Sequence, residues 1–168
     1  MPSDTTNVKV GVANVTFDGT DLGYTKGGVE VDVSTEKYTV TVDQFGNTPI
    51  NDYLIGRTIM VTTPLAETTV DILVTTMPGA TKVGTGAVKA EVTTGVGINL
   101  IDVAAELIVK PTAAVDNSDN INIPKAATAG NMSFAYQLES ERIYNVQWTG
   151  YADPATGLLF TFGDPAAA

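Results

Sequence analysis

The chain has 168 residues, enough for one domain with a sizeable core and too few for two independent enzymic domains. Its 19 acidic and 9 basic side chains leave a net charge of -10, which argues against gripping a phosphate backbone, a task for clustered Lys and Arg. Cysteine and histidine are both absent, so disulfides, thiolate and imidazole metal sites, and Ser-His-Asp or Cys-His nucleophiles are excluded.

Met1-Pro2-Ser3-Asp4-Thr5-Thr6-Asn7 is polar where a secretory signal is basic and then apolar, and no run of about 18 apolar residues follows. The expectation is a soluble chain without membrane insertion. Val, Thr, Ile and Tyr between glycine turns dominate, so the chain reads as mostly β. A first strand spans roughly Val8 to Phe17 and turns at Asp18-Gly19-Thr20-Asp21. Lys26-Gly27-Gly28 then leads into the most regular stretch, Val29-Glu30-Val31-Asp32-Val33-Ser34 followed by Tyr38-Thr39-Val40-Thr41-Val42-Asp43. Period two predicts a pair of half-buried strands, with Val29, Val31, Val33, Tyr38, Val40 and Val42 in the core. Glu30, Asp32, Ser34, Thr39, Thr41 and Asp43 then make one acidic, hydroxyl-rich face. From Asp43 to Tyr53 the turn formers predict a polar loop holding Gln44, Phe45, Gly46 and Asn47. Phe45 at its tip either anchors on a partner or folds back on its own sheet.

Ile59, Met60 and Val61 make a short strand, and at Pro64 the period changes. Thr63 suits an N-cap, Pro64 the first helical position and Glu67 the first turn. Ala66, Val70, Leu73 and Met77 form one apolar stripe, and Pro78-Gly79 stops the helix, which therefore covers about residues 64–77. Strands follow around Ala87 to Thr93 and Ala105 to Lys110, with Gly95-Val96-Gly97 turning between them. Thr112 to Asn131 is polar and without period, so it reads as a long surface loop. A hairpin closes the chain: Tyr144, Val146 and Trp148 alternate with Asn145, Gln147 and Thr149, then Asp153-Pro154-Ala155-Thr156-Gly157 turns into Leu158 to Phe162.

Chemistry would have to rest on carboxylates or lysine. Glu30 with Asp32, or Glu139 with Glu141, share a face if extended, but outward alternation accounts for them without a cleft. Gly79 and Gly84 have the spacing of a phosphate loop, yet Thr85 stands where Lys is required. Gly95 and Gly97 begin a dinucleotide fingerprint that fails at Leu100. Asp116, Ser118 and Asn120 imitate a calcium loop, yet Ile121 replaces its glycine and Ala127 its bidentate Glu. Asn14-Val15-Thr16 and Asn131-Met132-Ser133 match glycosylation acceptors that need an export route. No cofactor, metal site or enzymic activity is expected.

Several segments, in this order, resemble the major tail tube proteins of long-tailed bacteriophages. They are Gly19 to Val31, Val42-Asp43-Gln44-Phe45-Gly46-Asn47-Thr48-Pro49-Ile50, Pro64-Leu65-Ala66-Glu67-Thr68-Thr69, Ile143-Tyr144-Asn145-Val146-Gln147-Trp148, and Asp153 to Leu159 with Gly163-Asp164. The likeness spans nearly the whole chain and lies in the succession of pieces rather than in any one. It implies a single domain over 1–168, a β-sandwich or partial barrel with one flanking helix, long polar loops and extended terminal arms. It also implies hexameric rings whose inner sheets join into one barrel and whose stacking forms a conduit for the genome in the virion, after synthesis in the host cytoplasm. Implied partners are other copies of the chain, the tail terminator, the tail-tip and the tape-measure proteins, with DNA passing through unbound. On this reading Glu30, Asp32, Ser34, Thr39, Thr41 and Asp43 line the lumen or, alternatively, an outer surface. Gln44, Phe45, Gly46 and Asn47 stack ring on ring. A carbohydrate-binding or adhesin-like β-sandwich is the alternative; it expects exposed aromatics and export, whereas the aromatics here are expected mostly on apolar faces.

Overall fold

In the computed structural model, which describes residues 8–114, 116–164 and 166–167, the chain is mostly β with one helix. Met1–Asn7, Val115, Pro165 and Ala168 fall outside the described residues, and with them most of the expected N-terminal arm. One antiparallel eight-stranded sheet carries the fold. Its strands are β1 (Ala13–Phe17), β2 (Thr20–Asp21), β3 (Glu30–Val40), β4 (Asn51–Leu65), β7 (Ala105–Pro111), β8 (Ile121–Thr128), β9 (Tyr144–Gly150) and β10 (Thr161–Phe162). The order across it is β2-β1-β7-β8-β9-β4-β3, and β10 pairs with the start of β8. A separate hairpin of β5 (Ala80–Val83) and β6 (Lys89–Val92) lies next to the helix α1 (Val70–Thr76).

The core is the inward set of the alternating strands. Val15 and Phe17 of β1, Leu107 and Val109 of β7, Ile59, Val61 and Leu65 of β4, and Tyr144, Val146 and Trp148 of β9 are all buried in one cluster. The last three are the alternation expected for that segment, and Asn145 and Gln147 between them are exposed. Gly150 ends β9 where a Cβ would lie 2.4 Å from Ile59 Cγ2 and 3.0 Å from Ile123 Cγ2. Only glycine lets the strands close there.

The helix is shorter and later than the sequence predicts. Thr63, Pro64 and Leu65 belong to β4, with Thr63 opposite Val146 and Leu65 opposite Tyr144, both fully buried. Continuing the alternation of Ile59 and Val61 buries these side chains in the core, and that outweighs the local start signal of a proline. Thr69 is the cap: it has extended dihedrals and its Oγ1 accepts from Ile72 N at 3.3 Å. Ile72 and Thr76 face the core with Leu73 beside them, whereas Ala66 precedes the helix and Val70 and Met77 are only half-buried. Glu67 instead accepts from Tyr24 N at 3.3 Å, tying the segment before β3 to the end of β4.

The expected loop from Thr112 to Asn131 contains β8, which lies inside the sheet between β7 and β9. Its inward residues are small or single: Ile123, Ala126, and partly Ile121. A bulge sets two residues, Pro124 and Lys125, against Glu106 alone, so Pro124 sits where a ladder bond is already broken and the inward parity shifts from Ile123 to Ala126. The closing hairpin is also different from expectation. After β9 the chain makes a loop closed by Asp153 N donating to Leu158 O at 2.9 Å, and then rejoins β8 as β10 rather than pairing with β9. The turn lies at Asp153 to Gly157 as expected, and Asp153 organises it. Hydrogen bonds from Ala155 N and then Thr156 Oγ1 hold its carboxyl below the usual range.

Candidate assembly interface

β3 and β4 form a hairpin much longer than the body of the sheet needs. β3 is one continuous strand of 11 residues and β4 one of 15, where the sequence suggested two short strands, a polar loop and a third strand. Beyond Val33 and before Ile59 both strands are exposed except for the half-buried Val40, so this half projects as an arm. A turn at Asp43–Phe45, followed by Gly46 at φ 62, closes it. Phe45 at this tip is 66% exposed and does not fold back on the sheet.

The continuity of β3 corrects the single acidic face. Pairing runs from Glu30 opposite Thr62 to Glu36 opposite Gly56, then Lys37 opposite Leu54, so the extra residue is Ile55 on β4 and the alternation of β3 is unbroken. Glu30, Asp32 and Ser34 therefore share one face with Glu36, Tyr38 and Val40. Thr39 points to the other side, where its Oγ1 donates to Asp52 Oδ1 at 2.6 Å, and Lys37 Nζ bonds Asp52 Oδ2 at 2.9 Å. The Thr39 hydrogen bond and then Lys37 hold the exposed Asp52 carboxyl below its ordinary value. Thr41 and Asp43 lie past the strand, Asp43 in the turn. One period-two strand cannot put residues 30 and 39 on one face.

The expected core set changes for the same reason. Val29 and Val31 pack against the core, but Val33 and Tyr38 are exposed and Val40 and Val42 are half-buried outside it. The hairpin thus reverses its amphipathic sense along its length. At the base, Val31 and Val33 lie with Val61 and Ile59 on the core face, and Glu30 and Asp32 on the other. In the arm, the core-side face carries Thr35, Lys37, Thr39, Arg57 and Asp52, and the opposite face carries Tyr38 and its direct partner Tyr53, 62% and 58% exposed. Exposed Ile50, Leu54 and Ile55 add to this arm, Ile50 within the predicted polar loop and Leu54 and Ile55 just past its end at Tyr53. The run Tyr53-Leu54-Ile55 was the signal for a strand there. Aromatics are therefore not confined to apolar faces: Tyr24 and Tyr136 are exposed too.

Among the described residues the outer edge of β3 pairs with no other strand, and β2 covers only the end of β1. Total exposed area points the same way. The chain exposes 11280 Å². A compact monomer of 17.5 kDa exposes about 7,900 Å². The ten undescribed residues account for about 1,500 Å² at most on the same scaling, which leaves a surplus near 1,900 Å². That equals about two standard partner faces of roughly 800 Å² each.

The carboxylate pairs do not converge. Glu30 and Asp32 are successive outward residues of β3, and Glu141 is bonded to Lys26, which holds its carboxyl below the usual range. Asp116 is engaged by Ser118 through side-chain and backbone hydrogen bonds, which lower it too. Among the described residues no helix is long and apolar enough to cross a membrane. No family model and no curated protein matches this chain.

Proposed function

We propose that this chain is a structural subunit that assembles as stacked six-fold rings into the tail tube of a long-tailed bacteriophage, the conduit through which the genome leaves the virion. The observation that carries this reading is the projecting hairpin arm, solvated on both faces, in a chain whose exposed area exceeds that of a compact monomer by about two partner faces. A side-chain set without histidine or cysteine supports a role in assembly rather than catalysis. The wall of the conduit is the polar face of β3, β4 and β9: Glu30, Asp32 and Ser34, then Thr62 and Thr58, then Asn145 and Gln147. Its acidic residues repel phosphate, so DNA slides without being held. Thr39, on the other side of β3, takes no part in that wall. Gln44, Phe45, Gly46 and Asn47 reach an adjacent ring, and terminator, tail-tip and tape-measure proteins meet the ends and the lumen of the tube.

A second reading, a carbohydrate-binding β-sandwich, draws on the exposed Tyr38 and Tyr53 as stacking surfaces. Electron microscopy of the purified chain across a concentration series separates the two. Rings or tubes with six-fold symmetry are the expected result. A chain that stays monomeric and binds a glycan through Tyr38 and Tyr53 would establish the second reading instead.

A further inference from the structure

Two apolar stripes, far apart in sequence, are left partly or wholly uncovered at the same end of the sheet and on the same side of it. The first is the exposed Tyr38 and the half-buried Val40 on β3, followed by the half-buried Val42. The second is Val8, Val10 and Val12, all exposed, Val10 to 89%. This segment runs on from β1, since Thr112 N donates to Val12 O at 2.8 Å next to the β1–β7 ladder. Spacing of two sets these valines opposite Ala13, Val15 and Phe17, which face the core. Tyr38 and Val40 are likewise opposite the core-facing Val31. β1 and β3 are linked through five successive antiparallel pairings, so they run in opposite directions. The start of β1 and the end of β3 therefore lie at one end of the sheet, on its two opposite edges.

We infer that residues 8–14 of one copy add as an antiparallel strand to the outer edge of β3 in a second copy, in the register that sets Val12 beside Tyr38, Val10 beside Val40 and Val8 beside Val42. This rests on the ring reading above and names the contact that joins neighbours within a ring. The register is the one in which all three valines meet apolar partners; a slip of one residue turns every side chain to the wrong face. The open ladder of β3 gains main-chain partners along the arm. The two stripes become one apolar band that neither edge can cover alone. The occupant is a second copy because the surplus area matches about two partner faces and each chain has two different edges to offer. Unlike edges pair head to tail, which closes into a ring or continues as a helix and does not stop at a two-fold dimer.

The chain has no cysteine, so engineered pairs report without background. Val10→Cys combined with Val40→Cys, mildly oxidised, is expected to give a disulfide ladder up to the ring number. Val10→Cys with Lys37→Cys, on the opposite face, is expected to give none. Val10→Asp, at an exposed position, is expected to keep the melting transition of the parent and to lose assembly. Rings or tubes that form without a disulfide in the first pair, or in the two-residue slips Val10→Cys with Tyr38→Cys or Val42→Cys, overturn the pairing and leave the tube reading standing. A disulfide closing within a monomer also overturns it. A ladder in particles that are not six-fold rings keeps the pairing and removes the tube reading.

Discussion

The rings of Phe17 and Trp148 lie 4.4 Å apart between centroids, tilted by 37°, although β7 and β8 separate their strands. Three strand steps span about 14 Å in a flat sheet, so the sheet between β1 and β9 curls towards its apolar face until the two rings touch. That contact closes the core at one side and leaves β4 and β3 to run out from the other. The body of the molecule is stabilised by burial. Among the described residues the arm, exposed on both faces, is held by its ladder and a few cross-strand bonds.

Phe17→Ala removes one half of this contact and leaves a cavity beneath Trp148. A loss of about 3–4 kcal/mol in unfolding free energy is expected, measured by urea titration with tryptophan fluorescence, since Trp148 is the chain's one tryptophan. Phe17→Leu is expected to cost less than half of that. Equal losses for both would show that ring contact and volume at this position are not what holds the core.

Two buried positions predict changes of opposite sign. Thr63 is fully buried and its Oγ1 has no hydrogen-bond partner among the described residues, so Thr63→Val keeps the shape and removes a desolvated hydroxyl. It is expected to stabilise the fold by about 1 kcal/mol. Gly150→Ala drives a methyl into Ile59 and Ile123 and is expected to destabilise by about 2 kcal/mol. Thermal melts of the two variants against the parent read both signs.

Alkaline unfolding should begin at Tyr144. Its side chain is buried, which raises its ionisation above 10.0, the ordinary phenol value, while a hydrogen bond between the hydroxyls of Tyr144 and Thr76 at 3.2 Å partly offsets this. A raised folded value means the neutral phenol favours folding fully below pH 10 and loses that contribution as pH climbs through the raised value. Tyr144→Phe is expected to cost about 1 kcal/mol at neutral pH, because Thr76 keeps its bond to the Ile72 carbonyl. It is also expected to flatten the alkaline fall in stability. Parallel pH profiles for the two proteins would refute the assignment.

The legible parts of the sequence were those where burial on one face writes itself as period two, as in Tyr144, Val146 and Trp148. β8 was hidden because its neighbours leave room for little more than Ile123 and alanines, and because Asn120, Asn122 and Thr128 are buried there as well. Low hydropathy then looks like a loop. Pro64 predicts a helix start too early because a proline is a local signal, whereas the alternation of β4 is sustained by partners distant in sequence. In the arm, the valines and tyrosine of β3 do alternate, but they change side between Val33 and Tyr38. A reader of one strand at a time assigns both halves to one core, and only the pairing with β4 exposes the reversal.

On the proposed tail-tube reading, that reversal puts the lumen on one face of β3 and leaves the other face as a control. Glu30 and Asp32 are exposed, sit opposite Thr62 and Met60, and make no ion pair among the described residues, so Glu30→Lys with Asp32→Lys should leave the fold and the tube intact. Lysines on a wall facing DNA exchange counterions with its phosphates, and transit should slow, most of all at low salt. Thr35→Lys lies on the opposite face of the same strand, so on the tail-tube reading its positive charge is turned away from the lumen. Genome ejection from otherwise normal particles is expected to be several-fold slower for the Glu30 and Asp32 variant and unchanged for Thr35→Lys, with the difference shrinking as salt screens the contact. Ejection slowed by Thr35→Lys and left alone by the acidic-face variant would put the lumen on the other side of β3.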